Sequence, residues 1–104
     1  MAHRYFRVRI RLLRTEDGGR QTPIGRKHLF HCDIGATWRG MPVFHDAHVI
    51  LDGRSGLGPG DEGTARLEPL NPELWKEVQV GRTFNLHEGR AQRGVGEILE
   101  IVDE

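Results

Sequence analysis

The chain has one cysteine, one tyrosine, one serine, no net charge and no long apolar run. Each shortage excludes something. A lone cysteine, Cys32, cannot form an internal disulfide and suits a reducing compartment. Fifteen Lys and Arg balance fifteen Asp and Glu, so no global field favours nucleic acid or a membrane surface. The six histidines add positive charge only as pH falls, through roughly 6.5. No stretch approaches the ~18 consecutive apolar residues of a membrane-spanning helix. The opening M-A-H-R-Y-F-R-V-R-I-R is basic but lacks a continuous apolar core, so it does not read as a signal peptide. The expected location is cytoplasmic.

What remains is an ordinary globular composition, 37% hydrophobic and 29% charged, over 104 residues. That length suits one domain, residues 1–104, and is too short for two well-packed ones. Fourteen glycines and five prolines, spread along the chain, predict many turns.

Residues 4–13 alternate with period two: Phe6, Val8, Ile10 and Leu12 on one face, Arg7, Arg9 and Arg11 on the other. Thr15–Ile24 (T-E-D-G-G-R-Q-T-P-I) follows as a tight connection, because paired glycines allow positive φ and Pro23 forbids continued helix. Further strands are predicted over 27–34, 43–51, 64–70, 83–87 and 92–102, with a bend near His45–Asp46. Gly35–Met41 reads as a loop carrying Trp38, Asp52–Gly63 as a glycine-rich turn region, and Pro72–Val78 as room for one helical turn. Six short strands, glycine-rich turns and no amphipathic helix predict an all-β sandwich or small barrel. A single six-stranded antiparallel β-barrel is favoured, because closure removes exposed edges and gives the long first and last strands partners.

Three segments resemble the C-terminal β-barrel, the third domain, of elongation factor Tu and related translation GTPases. E-D-G-G-R-Q-T-P-I (16–24) is similar to that barrel's opening acidic-Gly-Gly-Arg-x-Thr-Pro segment. L-G-P-G-D-E-G-T-A-R-L-E-P-L-N-P (57–72) resembles its Pro-Gly-Asp turn, strand and terminating proline. T-F-N-L-H-E-G-R-A-Q-R-G-V-G-E-I (83–98) resembles its closing hairpin. The matches occur in family order over nearly the whole chain. The resemblance implies a non-catalytic barrel that, in those factors, touches the T stem of aminoacyl-tRNA, packs on the GTPase domain and meets the exchange factor. No G-x-x-x-x-G-K-[ST] cradle is present, so GTP hydrolysis is excluded on this chain. Departures are clear in the tRNA-facing turn: Glu88-Gly89-Arg90-Ala91-Gln92 keeps the first two family positions and loses the second glycine and the Arg-Thr pair. The Arg-Pro-Gln-Phe element becomes Arg26-Lys27-His28-Leu29.

Candidate sites follow. For RNA they are the row Arg7, Arg9, Arg11, whose spacing of roughly 6.6 Å could track a phosphate backbone, and the turn Glu88, Gly89, Arg90, Arg93. The competing reading pairs the row with Glu97 and Glu100 on an adjacent last strand. For a protein partner they are Trp38 and Arg39 with the Gly53–Gly63 loop; Trp38 and Trp75 either mark a contact or cap the barrel. The spacings His28/His31 and His45/His48 invite a metal, but H-x-x-H on a strand points to opposite faces. A cross-strand His31–His45 site has no sequence support, and neither metal nor cofactor is expected. Cys32, mid-strand, reads as a buried structural thiol. Ser55 in a glycine loop is not a nucleophile motif. Gly58-Pro59-Gly60-Asp61 reads as a turn rather than an anion loop. The functional expectation is a non-catalytic binding module docking RNA (tRNA-like) or a translation-related protein, with a protein-interaction domain unrelated to translation as the alternative and a small enzyme or metal-binding protein ranked last.

Overall fold

The alternating first segment forms strand β1 (Arg4–Leu12) in a computed structural model that describes residues 4–104. Residues 1–3, part of the stretch read for a signal peptide, lie outside it. Next come β2 (Ile24–Gly25), β3 (Lys27–Asp33), β4 (Thr37–Trp38), β5 (Met41–Pro42), β6 (His45–Leu51), β7 (Gly56–Leu57), β8 (Glu62–Pro69), β9 (Thr83–Glu88) and β10 (Ala91–Asp103). Six of these close an antiparallel barrel in the order β1-β10-β9-β3-β6-β8, with β8 returning to β1. β2 pairs with β7, and β4 with β5, as short ribbons outside the barrel.

Side-chain alternation makes the interior. Phe6, Val8, Ile10 and Leu12 all point inward and are buried, as are Phe30 and Cys32, Ala47, Val49 and Leu51, Ala65 and Leu67, Phe84 and Leu86, and Ile98. Each large one contributes about 1.5–3 kcal/mol relative to staying exposed. Large and small residues face each other: a Cβ at Gly96 would lie 2.4 Å from the Phe84 ring, so the glycine supplies the space that ring fills.

Most strand ends fall within a residue of the sequence expectation, and four features depart from it further. The third barrel strand begins at His45, because the Val43 N–H donates to the Ala36 carbonyl at 2.9 Å and closes the base of the β4–β5 hairpin instead. The fourth begins earlier, at Glu62. The helical turn over Pro72–Val78 is a 3-10 turn at Pro72–Trp75, led by a proline whose missing N–H costs nothing there. The stretch read as a Gly35–Met41 loop forms most of the β4–β5 hairpin, which ends at Pro42 and in which Arg39 (φ 53) and Gly40 (φ 77) both adopt left-handed conformations. Two consecutive positive φ values define the type I′ turn that matches strand twist.

Antiparallel connectivity sorts the connections onto two ends. The near end holds the start of β1, the finish of β10, and the segments 34–44 and 70–82. The far end holds the segments 13–26 and 52–61 and the β9–β10 turn. Each end has its apolar plug. Trp75, fully buried, closes the near end against Phe6 (ring centroids 5.6 Å) and Phe84 (6.2 Å). Ile24 and Leu57, paired across the β2–β7 ribbon, close the far end.

Candidate docking surfaces at the two ends of the barrel

Around the far-end mouth, the opening connection and the closing hairpin are tied by charge. Glu88, last in β9, pairs with Arg20 of the connection and lies 3.0 Å from His28 Nε2 on β3. A 3.5 Å ion pair joins it to Arg93 Nε, without hydrogen-bond geometry. Arg93 Nη1 donates to the Gly18 and Gly19 carbonyls at 2.9 and 3.2 Å. The Thr15 hydroxyl donates to the Arg20 carbonyl at 2.6 Å, and Arg20 Nε donates to that of Thr22 at 3.1 Å. Partial burial pushes the Glu88 carboxyl up, but hydrogen bonding and charge from Arg20 and His28 outweigh it and hold the group below its ordinary value. Glu88 and Arg93 therefore both have intramolecular work, whereas Gly89 and Arg90 of the same turn are exposed.

The paired glycines of the connection serve two needs. Gly18 has φ 93, where only glycine is unstrained. Gly19 has an ordinary φ, but a Cβ there would sit 2.1 Å from the Leu13 carbonyl oxygen. One glycine is needed for its torsion, the other for its lack of a side chain.

The arginine row lies on the outer face of β1, between β10 and β8. β1 and β10 are neighbours, as the competing reading requires, and Arg9 Nη1 lies 3.3 Å from Glu97 Oε1. Arg7 stands opposite Glu100 in register, yet its guanidinium turns the other way to form a two-pronged pair with Asp52. Burial pushes the Asp52 carboxyl up; hydrogen bonds from Arg7 and Thr64 and the Arg7 charge prevail and lower it. Arg11 has no carboxylate partner among the described residues. Two of three arginines in the row are engaged.

The histidines separate as their strand spacing predicts. His28 joins the Glu88 cluster, while His31 Nδ1 lies 2.5 Å from Asp46 Oδ1 on the neighbouring strand. His87 stacks on Phe44 with ring centroids 4.4 Å apart. Among the described residues, no three His, Cys, Asp or Glu side chains are placed to share one metal ion. Cys32 is fully buried, and burial followed by the Asp46 charge pushes its thiol up to about 12. It is neutral at physiological pH, without the nucleophilicity a catalytic thiol needs.

The near end is different in kind. Among the described residues six large apolar side chains are exposed, and five of them, Trp38, Met41, Leu70, Leu74 and Val80, belong to the two connections there. Trp38 and Met41 are both 63% exposed and sit opposite one another in the β4–β5 hairpin, with the Arg39 guanidinium 4.5 Å above the Trp38 ring. At the same end a cavity of about 230 Å³ is lined by Phe44, His45, Asp46, Leu70, Asn71, Leu74 and Trp75. Of the two tryptophans, Trp75 is therefore the cap and Trp38 the exposed one.

No protein-family model matches the chain. Among the described residues, no helix is long and apolar enough to cross a membrane.

Sequence reasoning missed Arg20 and His28 as partners of Glu88. Arg20 carried a signal, the arginine after the paired glycines, but its partner lies 68 residues away. Leu70, Leu74 and Val80 were missed too, because their segment has no regular period to mark an exposed face.

Proposed function

We propose that the chain is a non-catalytic docking module of the elongation factor Tu C-terminal type, and that its near end engages a protein partner. The observation that carries this reading is the gathering of Trp38, Met41, Leu70, Leu74 and Val80 on the two near-end connections. Aromatic residues, Met and Arg are enriched at the centres of protein interfaces, and tryptophan is among the residue types most enriched in energetic anchors. The cavity between Phe44 and Leu74 has room for one apolar side chain of the partner. The resemblance in the three sequence segments supports the barrel type, and in that family the barrel packs on a GTPase domain. The partner is accordingly a translation GTPase, met in the cytoplasm.

The test is calorimetric titration of the chain with purified elongation factor Tu from the same source. Binding that Trp38→Ala weakens by about thirtyfold or more supports the reading. Absence of binding, or binding indifferent to Trp38 and Leu74, removes it.

A second reading, RNA, is favoured by Arg11 and Arg90, which have no carboxylate partner among the described residues. A tRNA-like duplex would then bind with an affinity falling steeply as salt rises. No retention of such a duplex at low salt removes this reading.

A further inference from the structure

A depression of about 330 Å³ at the far end is lined by Arg26, Gly53, Arg54 and Ser55. It lies outside the Glu88 cluster and at the opposite end from Trp38. Its walls are held by backbone. In the β2–β7 ribbon Gly25 pairs with Gly56, so Arg26 and Ser55 are the next residues outward on the two sides. The strands are close, since a Cβ at Gly56 would approach the Ile24 carbonyl oxygen to 3.0 Å. Buried Ile24 and Leu57 pin the ribbon to the core, and the Leu51 N–H donates to the Arg26 carbonyl at 2.8 Å. Gly53, at φ 61, turns the chain around the other side.

The charges are arranged to leave donors free. Arg54 Nη1 donates at 3.2 Å to the backbone carbonyl of Glu62, which steadies the guanidinium and leaves its other N–H groups available. Among the described residues, Arg26 and its neighbour Lys27 have no carboxylate partner, and the Ser55 hydroxyl has no hydrogen-bond partner. The acid next in the loop, Asp52, is occupied by Arg7.

We propose that this depression binds a phosphoryl group. Arg26 and Arg54 supply charge-assisted N–H donors in planar forks suited to two oxygens each, and Ser55 supplies a neutral hydroxyl. The site rests on these residues alone and not on the docking reading. The same chemistry serves a small phosphorylated molecule or the phosphodiester backbone of a nucleic acid.

The experiment is a titration of the ¹⁵N-labelled chain with sodium phosphate, followed by amide chemical shifts, against sodium chloride at matched ionic strength. Saturable shifts at Arg26, Gly53, Arg54 and Ser55 are expected, with millimolar affinity. Arg26→Gln with Arg54→Gln weakens binding by at least about tenfold. Arg26→Gln alone, which breaks no bond within the protein, gives a clear loss even where the double variant unfolds. Arg39→Gln, at the other end, leaves the affinity unchanged. A short single-stranded oligonucleotide forms the second arm. Tighter, salt-sensitive binding at the same amides assigns the phosphoryl group to a nucleic-acid backbone; a response to phosphate alone assigns it to a small molecule. Shifts that do not saturate, that chloride reproduces, or that survive Arg26→Gln overturn the proposal.

Discussion

The Glu88 carboxylate and His28 Nε2 lie 3.0 Å apart, joining the end of β9 to the second residue of β3 across 60 residues of chain. Arg20 shares the same carboxylate. The connection that opens the barrel and the hairpin that closes it thus meet at one partly solvated carboxyl group. Replacing Glu88 with Gln keeps the shape and removes the charge, and should destabilise the fold by about 1 kcal/mol, below the usual value for a charged hydrogen bond because solvent still reaches the site. Urea unfolding measures it. The pH dependence has a definite sign. The folded carboxyl titrates below its ordinary value, so its stabilisation is complete above about pH 4.5 and fades as pH falls through the lower, folded value. The wild-type minus Glu88→Gln difference should shrink over that acid range, and a difference that grows there would contradict the assignment.

The paired glycines should respond unequally to alanine. Gly18→Ala places a side chain at φ 93 with open space around it, a torsional cost of about 1–2 kcal/mol. Gly19→Ala drives a methyl group into the Leu13 carbonyl, and overpacking against backbone costs about 3 kcal/mol. Thermal unfolding of the two variants should rank Gly19→Ala clearly lower. The reverse order would mean the connection is built differently.

Cys32 should be silent in the native protein. With its thiol pushed up to about 12 and its side chain inside the barrel, iodoacetamide at mildly alkaline pH should label it only as fast as the chain unfolds. In denaturant it should react at once. Linkage has the opposite sign from Glu88: the contribution is complete below about pH 8.5 and declines as pH rises toward 12. Fast labelling without denaturant would show that the barrel opens locally at β3.

Trp38→Ala and Leu74→Ala should separate stability from binding. Trp38 is largely exposed and Leu74 half-exposed, so each substitution should change unfolding free energy by no more than about 0.5–1 kcal/mol. On the docking reading, Trp38→Ala should cost about 2 kcal/mol or more in partner affinity. A large loss of stability on replacing Trp38 would assign it to structure instead.

Local pattern was enough for the barrel wall. The alternation of Phe6, Val8, Ile10 and Leu12 specifies which face is buried wherever that strand pairs, because a strand's side-chain period is two. Glycine and proline placed the turns for the same kind of reason, through torsions that belong to single residues. The β4–β5 hairpin escaped notice because Arg39, rather than Asn, Asp or Gly, occupies the first left-handed position of its turn.

Charge was decided elsewhere. Arg7, Arg9 and Arg11 are equivalent as letters in a strand, yet one turns to Asp52, one to Glu97, and one has no carboxylate partner among the described residues. Which outcome each meets depends on strand register and on where a distant loop returns, and ion pairs act over a few ångströms of space rather than along the chain. The same holds for the exposed apolar side chains: closure of the barrel buried Phe6, Val8, Ile10 and Leu12 of β1 and left Trp38, Met41, Leu70, Leu74 and Val80 on connections at one end. The amino-acid sequence by itself determined a small antiparallel barrel with glycine-built turns, since those follow from side-chain period and backbone torsion. Only the tertiary structure decided which charges are spent within the fold and which surface is left to meet something else, since both depend on contacts between residues far apart in the chain.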